Sequence, residues 1–218
     1  MMYVFYDFET SGNNKDFDQI LQIGAVLTDD GFQVKDKINI SCRLKKDIIP
    51  APEALLINKI SIDQLKSNEV SHYNLVSQLK QKFEEWSPAC FTGFNSILFD
   101  EEVLRQGLFK SLNFPYLTSA KGNRRLDILK LARATSAFAP NTLVVPLKEN
   151  NKESFKLEDL AKVNQIDHSN AHDAIADVMA TIELAKKIKN KASDVWDSLL
   201  VYTKGDDIGK KFFNEDFV

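Results

Sequence analysis

The chain has 218 residues, 44% hydrophobic and 27% charged, with few glycines and prolines. That is the make-up of one folded domain with a substantial core. A net charge of −3 argues against a protein that coats nucleic acid by long-range attraction; a polyanion would have to be gripped locally, through bound metal and a few basic side chains. No basic segment leads into an apolar run at the start, and no apolar stretch nears the ~20 residues of a membrane span. With Cys42 and Cys90 in apolar surroundings and without metal-ligand spacing, a cytoplasmic protein with buried free thiols is expected.

The first element is a strand, Tyr3 to Thr10, YVFYDFET. Side chains alternate along a strand, so Asp7 and Glu9 project from one face and Phe8 from the other. Two carboxylates side by side on so apolar a strand repel and must be desolvated, and a hard divalent cation with oxygen ligands relieves both costs. About four such acid pairs are expected by chance in a chain of this composition, so the weight of this one rests on where the other acids fall. ILQIGAVLTDD from Ile20 reads as a second strand ending in the turn Asp29-Asp30-Gly31, and Phe32 to Leu44 as its hairpin partner. The three make an antiparallel meander.

Pro50 to Asn58 predicts a short helix with Pro52 near its start, and Ser61-Ile62-Asp63-Gln64 a capping box opening another. Leu75, Val76, Leu79 and Phe83 recur at helical spacing between Ser71 and Trp86, where Pro88 ends the run. A short strand from Ala89 to Phe94 follows, then Asn95-Ser96 and a helix through Leu112. Asp127 to Ala137 predicts a further helix, 138–154 an irregular excursion, and Leu157 to Asn164 and Ala171 to Lys189 two more helices. Residues 192–202 are weakly helical. A meander followed by strands alternating with helices predicts an α/β fold with a mixed sheet flanked by helices. The expected boundaries are a domain over 1–203 and a tail over 204–218.

Asp100 lies where a strand has ended and a helix begins. A helix cap is its simplest reading, although Gly93-Phe94-Asn95 ends the strand at the side of the sheet where ligands bind in such folds. Asp177 lies off the polar stripe of Glu183, Lys186 and Lys187, on a row continued by Ala180, Leu184 and Ile188. An acid heading an apolar row is either ion-paired or a ligand. His172 precedes it by five residues; His168 and Asp173 share that spacing, and the buried row favours the pair 172/177. Asp127 reads as a cap or supporting acid. Lys121, Arg124, Arg125, Lys130 and Arg133 could meet phosphates or form a solvated face.

Taken together, Asp7-x-Glu9-Thr10, Asp100 and His172-x-Ala174-x-x-Asp177 resemble the DnaQ-like 3′–5′ exonucleases, the DEDDh superfamily on a ribonuclease H-like sheet. The strings DFETSG, GFNSILFDEEVLR and SFKLEDLAKVNQIDHSNAHDAIADVMATI are similar to its exonuclease I branch, from about Tyr3 to Leu200. The resemblance implies that Asp7, Glu9, Asp100 and Asp177 bind two Mg²⁺ ions, with Mn²⁺ as a substitute, and that His172 is the general base. It implies single-stranded DNA as substrate and 5′-mononucleotides as product. Thr10, near where the terminal nucleotide sits in the family, Asn95, and Phe99, which abuts the third acid, would bind the substrate. Exonuclease I proteins usually continue into an SH3-like and a helical domain, so this chain resembles the exonuclease domain alone; a single-stranded-DNA-binding protein would be a partner through those further domains. The rival readings are a relative acting on RNA or proofreading a polymerase, and an inert docking module. The presence of all four acids and the histidine counts against the docking module.

Overall fold

The computed structural model describes residues 1–168 and 171–203; the expected tail, 204–218, lies outside the described residues. Among these residues five strands form one mixed sheet in the order β3-β2-β1-β4-β5. They are β1 (Tyr3–Thr10), β2 (Ile20–Thr28), β3 (Val34–Ser41), β4 (Cys90–Gly93) and β5 (Arg124–Asp127). The helices are α1 (Pro52–Asn58), α2 (Ile62–Ser67), α3 (His72–Glu85), α4 (Asp100–Lys110), α5 (Ile128–Phe138), α6 (Leu157–Val163), α7 (Ala174–Lys191) and α8 (Ser193–Leu200).

The apolar run of β1 places it at the centre, antiparallel to β2 and parallel to β4. Its two faces feed two cores. Val4, Tyr6 and Phe8 pack with Leu75, Leu79 and Phe83 of α3 and Leu104 and Leu108 of α4. Tyr3 and Phe5 pack with Ile128 and Leu131 of α5, Val178, Leu184 and Ile188 of α7, and Trp196 of α8. Full burial of each such side chain contributes about 1.5–3 kcal/mol, which is why an apolar run of this kind cannot lie at an edge. β3, whose residues alternate exposed and half-buried, forms one edge. This is the ribonuclease H-like mixed sheet the resemblance implied. Both cysteines are buried and unpaired, and no helix among the described residues is long and apolar enough to cross a membrane.

Three local expectations change and one holds. β5 was hidden, because four residues carrying two arginines show no strand pattern; only parallel pairing with β4 reveals it. Asp127 ends that strand and, as expected, caps α5, accepting from the Leu129 N–H at 3.0 Å. Arg125 is not simply a solvated charge but reaches buried Glu101 at 3.3 Å, and Arg133 lies over the Phe155 ring. Finally, α7 starts at Ala174 rather than Ala171, because His172 has φ 66°, a left-handed conformation that cannot continue a helix. The cap is Asp173, which accepts from the Ala176 N–H.

Candidate active site

Strand alternation puts Asp7 and Glu9 on the α7 side of the sheet, the face opposite Phe8. A register irregularity between Glu9 and Thr10 ends the regular pairing there, as bulges often do beside sites. Asp177 comes to them from the first turn of α7, where the helix dipole favours an acid, on a row whose other members Ala180, Leu184 and Ile188 are buried. One carboxylate oxygen from each of Asp7, Glu9 and Asp177 lies within 4.8 Å of the others.

That approach depends on Gly24, which stands opposite Asp7 in the β1–β2 ladder. A Cβ there would sit 2.5 Å from the Ala174 carbonyl carbon and the Ile175 nitrogen, so the start of α7 rests on bare backbone. Gln22, opposite Glu9, donates to Asp173 Oδ2 at 3.0 Å and so ties the helix cap to the sheet.

Asp100 enters from the other direction. It is the first residue of α4 but not its cap, which falls to Phe99; its carboxylate instead accepts from the Phe8 N–H at 3.0 Å. The capping reading is thereby replaced by one in which α4 is fastened to β1. The next residue, Glu101, is 1% exposed. It accepts from Tyr6 Oη at 3.0 Å and Thr118 Oγ1 at 2.6 Å and meets Arg105 and Arg125 at 3.3 Å. A buried acid so fully partnered fixes the start of α4. Asp100 lies outside the 4.8 Å group, yet its charge acts on both Asp7 and Glu9.

Burial first, and then the charges of Asp100, Asp177 and Glu9, raise the Asp7 carboxyl well above its ordinary range. Burial, then Asp177 and Asp100, push Glu9 up to about 8. Burial likewise takes Asp100 to about 7 against the opposing Phe8 N–H. Carboxylates in this arrangement resist ionising together unless a cation joins them, and an all-oxygen set suits a hard divalent ion.

This has a measurable consequence. An acid whose pKa is raised by folding stabilises the protein below its ordinary pKa, and the stability is lost as pH rises through the raised value. For Glu9 that window runs from 4.5 to about 8. Buried His72, lowered from 6.5 to about 4, acts oppositely, its contribution growing with pH up to 6.5. Between pH 6.5 and 8.5 the acids act alone. Metal-free protein should lose on the order of 2 kcal/mol there from Glu9, seen as a fall in Tm of about 4–8 °C. Millimolar Mg²⁺ or Mn²⁺ should remove the fall; thermal melts in chelator and in metal check it, and a flat profile in both would count against the cluster.

The histidines are arranged in a way spacing did not show. His172 sits before α7 and its backbone N–H donates to Asp177 Oδ1 at 3.2 Å. The ring that touches the same oxygen belongs to His168, whose Nε2 is 2.6 Å away. His168 therefore partners Asp177, not Asp173.

Beside Glu9 a groove of about 320 Å³ is lined by Phe8, Thr10, Phe99 and, from α1, Ala54, Ile57 and Asn58. The Thr10 hydroxyl donates to Gly12 O at 2.7 Å, and Asn58 Nδ2 donates to Thr10 O at 3.1 Å, which moors α1 to the end of β1. Asn95 does not line this groove. It has φ 62°, and its N–H, like that of Ile97, is held by the Asp127 carboxylate, so the turn leading to Phe99 is fixed. The α1 residues escaped the sequence reading, because nothing local links 54–58 to strand β1. Gly24 carried a signal: an isolated glycine inside a strand pattern marks close backbone approach.

Known proteins extend this picture. A family model for RNase T-type exonucleases matches residues 4–185. An exodeoxyribonuclease I of Buchnera aphidicola (subspecies Acyrthosiphon pisum) is 35% identical over 210 residues, covering 95% of this chain and 51% of that protein. The crystal structure of Escherichia coli exonuclease I in complex with a dT13 oligonucleotide superposes with a TM-score of 0.91 at 31% identity, over 96% of this chain and 45% of that one. A zinc-bound form of the E. coli exonuclease I–ssDNA complex gives 0.85 at 34% identity, over 91% and 42% of the two chains. This chain thus spans about half the length of these relatives. It belongs to the RNase T family of exonucleases and is similar to exonuclease I over about half the length of those proteins.

Proposed function

We propose that the chain is a 3′-to-5′ exodeoxyribonuclease that hydrolyses single-stranded DNA from its 3′ end to nucleoside 5′-monophosphates, using two Mg²⁺ ions. The observation that carries this reading is the convergence of Asp7, Glu9 and Asp177 from two distant elements to within 4.8 Å, with Asp100 fastened alongside. The relatives' structures in complex with a dT13 oligonucleotide and, zinc-bound, with single-stranded DNA support it. Asp7, Glu9, Asp100 and Asp177 would hold the ions, which when bound polarise the phosphate and lower the pKa of the attacking water.

The chain's own residues do the rest. His172, half-exposed at the head of α7, takes the proton from the attacking water as the phosphodiester breaks; imidazole suits that role near neutral pH. The leaving 3′ oxygen stays on the shortened strand, and the phosphate leaves on the released nucleotide. Thr10 and Phe99 form one wall of the groove beside Glu9, facing Ala54 and Ile57, and receive the terminal sugar and base. Asn95, in the turn before Phe99, supports that wall. A cytoplasmic setting is part of this reading, since two unpaired buried thiols suit a reducing compartment. So is a single-stranded-DNA-binding protein as partner, engaged through regions outside this chain.

The deciding experiment is digestion of 3′- and 5′-labelled single- and double-stranded oligonucleotides, DNA and RNA, with and without Mg²⁺. Stepwise release from the 3′ end of single-stranded DNA, abolished by chelator, is expected. Equal or faster turnover of RNA would move the substrate to the RNA class, and 5′-end release would overturn the reading. His172→Ala should lower kcat by about 10²–10⁴-fold while leaving the metal-induced rise in Tm intact. A variant that lost metal binding with unchanged kcat at saturating metal would remove His172 from the proton-transfer role.

A further inference from the structure

We propose that His168 is a positioning residue that orients the Asp177 carboxylate for metal through its Nε2–H. The inference rests on the reading of Asp177 as a ligand. The chain delivers the ring deliberately: after α6, Gln165 turns with φ 59°, the Ile166 N–H closes on Ala161 O at 2.9 Å, and Ile166 packs against the α7 core. This brings His168 inward until its side chain is 6% exposed and Nε2 lies 2.6 Å from Asp177 Oδ1.

Oδ1 thus receives two donors, the His168 ring and the His172 N–H at 3.2 Å. An oxygen so engaged has little lone-pair density left for a cation, so Oδ2 is the atom offered to the site. With one oxygen held, the carboxylate can no longer rotate, and its ligand oxygen is fixed toward Asp7 and Glu9. Asp100 shows the same division, one oxygen engaged by the Phe8 N–H. The other ring nitrogen of His168, Nδ1, is buried with no hydrogen-bond partner among the described residues. Burial of that unpaired atom is unfavourable, and a residue serving only to fill space would not need it; the Nε2 contact accounts for a histidine here. Outer partners that hold a ligand typically change metal affinity by about 10–100-fold.

The test is calorimetric titration of Mn²⁺ into DNA-free protein, for wild type, H168L, H168Q, H168N and D177A, with kcat and KM on a single-stranded oligonucleotide at limiting and saturating Mn²⁺. H168L should bind Mn²⁺ about 10–100-fold more weakly, and H168Q, whose amide can reach Oδ1, should recover most of that. The activity loss in H168L should fall on kcat at limiting metal, leave KM unchanged, and diminish as Mn²⁺ saturates. Should H168L not fold, H168N decides: its shorter amide cannot span to Oδ1, so it should bind weakly where H168Q binds well. Wild-type affinity in H168L or H168N, or an H168Q as weak as they are, overturns the inference. Unchanged Mn²⁺ binding in D177A would instead defeat the metal-site reading itself, whereas a D177A that loses metal beside an H168L that keeps it removes only the role of His168.

Discussion

Replacing Asp7 by Asn should abolish nuclease activity and yet make the metal-free protein harder to melt. Burial first, and then the charges of Asp100, Asp177 and Glu9, raise the Asp7 carboxyl well above the ordinary range. Asn keeps the volume but removes the charge, so at pH 8 the repulsion and the burial cost that Asp7 suffers disappear together. A gain in stability follows, seen as a rise in Tm of the metal-free protein. The same change removes a shared ligand, and turnover should fall by about 10³-fold or more. The rise in Tm with Mg²⁺ should vanish as well. The combination is diagnostic, because a variant that lost activity by unfolding would melt earlier. Asp177→Ala should lose as much activity with a smaller stability gain or none. It strands two donors, the His172 N–H and His168 Nε2, while relieving the same repulsion. An Asp7→Asn enzyme within tenfold of wild type would overturn the assignment.

The second large effect is expected far from any charge, at Gly24→Ala. Its new methyl would have to occupy space 2.5 Å from the Ala174 carbonyl carbon and the Ile175 nitrogen and 2.6 Å from the Ala174 oxygen. These are backbone atoms of a capped helix and cannot swing aside as a flexible side chain would, so α7 must lift. Overpacking of this kind costs about 1–3 kcal/mol, a fall in Tm of roughly 2–12 °C for a chain this size. The lift also carries Asp177 away from Asp7, which faces Gly24 across the ladder. A displacement of about 1 Å in a site that depends on geometry lowers the rate by about 10²-fold. Gly31→Ala is the control, its Cβ meeting only the Asp29 side chain at 3.5 Å. Melting curves and kcat for the two variants, with Mn²⁺ titrations, test the argument; a Gly24→Ala protein as stable and active as wild type would mean that α7 has slack.

Both predictions show where reading the chain alone stops. The alternation of YVFYDFET places Asp7 and Glu9 on one face before any fold is known, because the period of a strand is a property of the backbone. Asp177 stands out because Ala180, Leu184 and Ile188 share its row, a property of the helix. The expected family followed from strings of residues around these acids. β5 did not show itself, since a four-residue parallel strand is defined by its partner and not by its own composition. Asp100 illustrates the middle ground. Its place at a strand–helix junction was legible, but capping and ligation look alike there; the structure gives the cap to Phe99 and fastens the Asp100 carboxylate to the Phe8 N–H.

The amino-acid sequence by itself determined the two-faced central strand, the apolar rows that build the cores, and the identity of the acids available to meet. Periodicity and residue chemistry act over a few positions, and they are written in the chain. Only the tertiary structure decided that β2 lets α7 touch bare backbone at Gly24, that Glu101 gathers Tyr6, Thr118 and two arginines behind Asp100, and that His168 grips the oxygen its neighbour also holds. Those outcomes include contacts nine positions apart, between His168 and Asp177, and more than a hundred apart, between Gly24 and α7, and which groups meet depends on how the helices settle on the sheet.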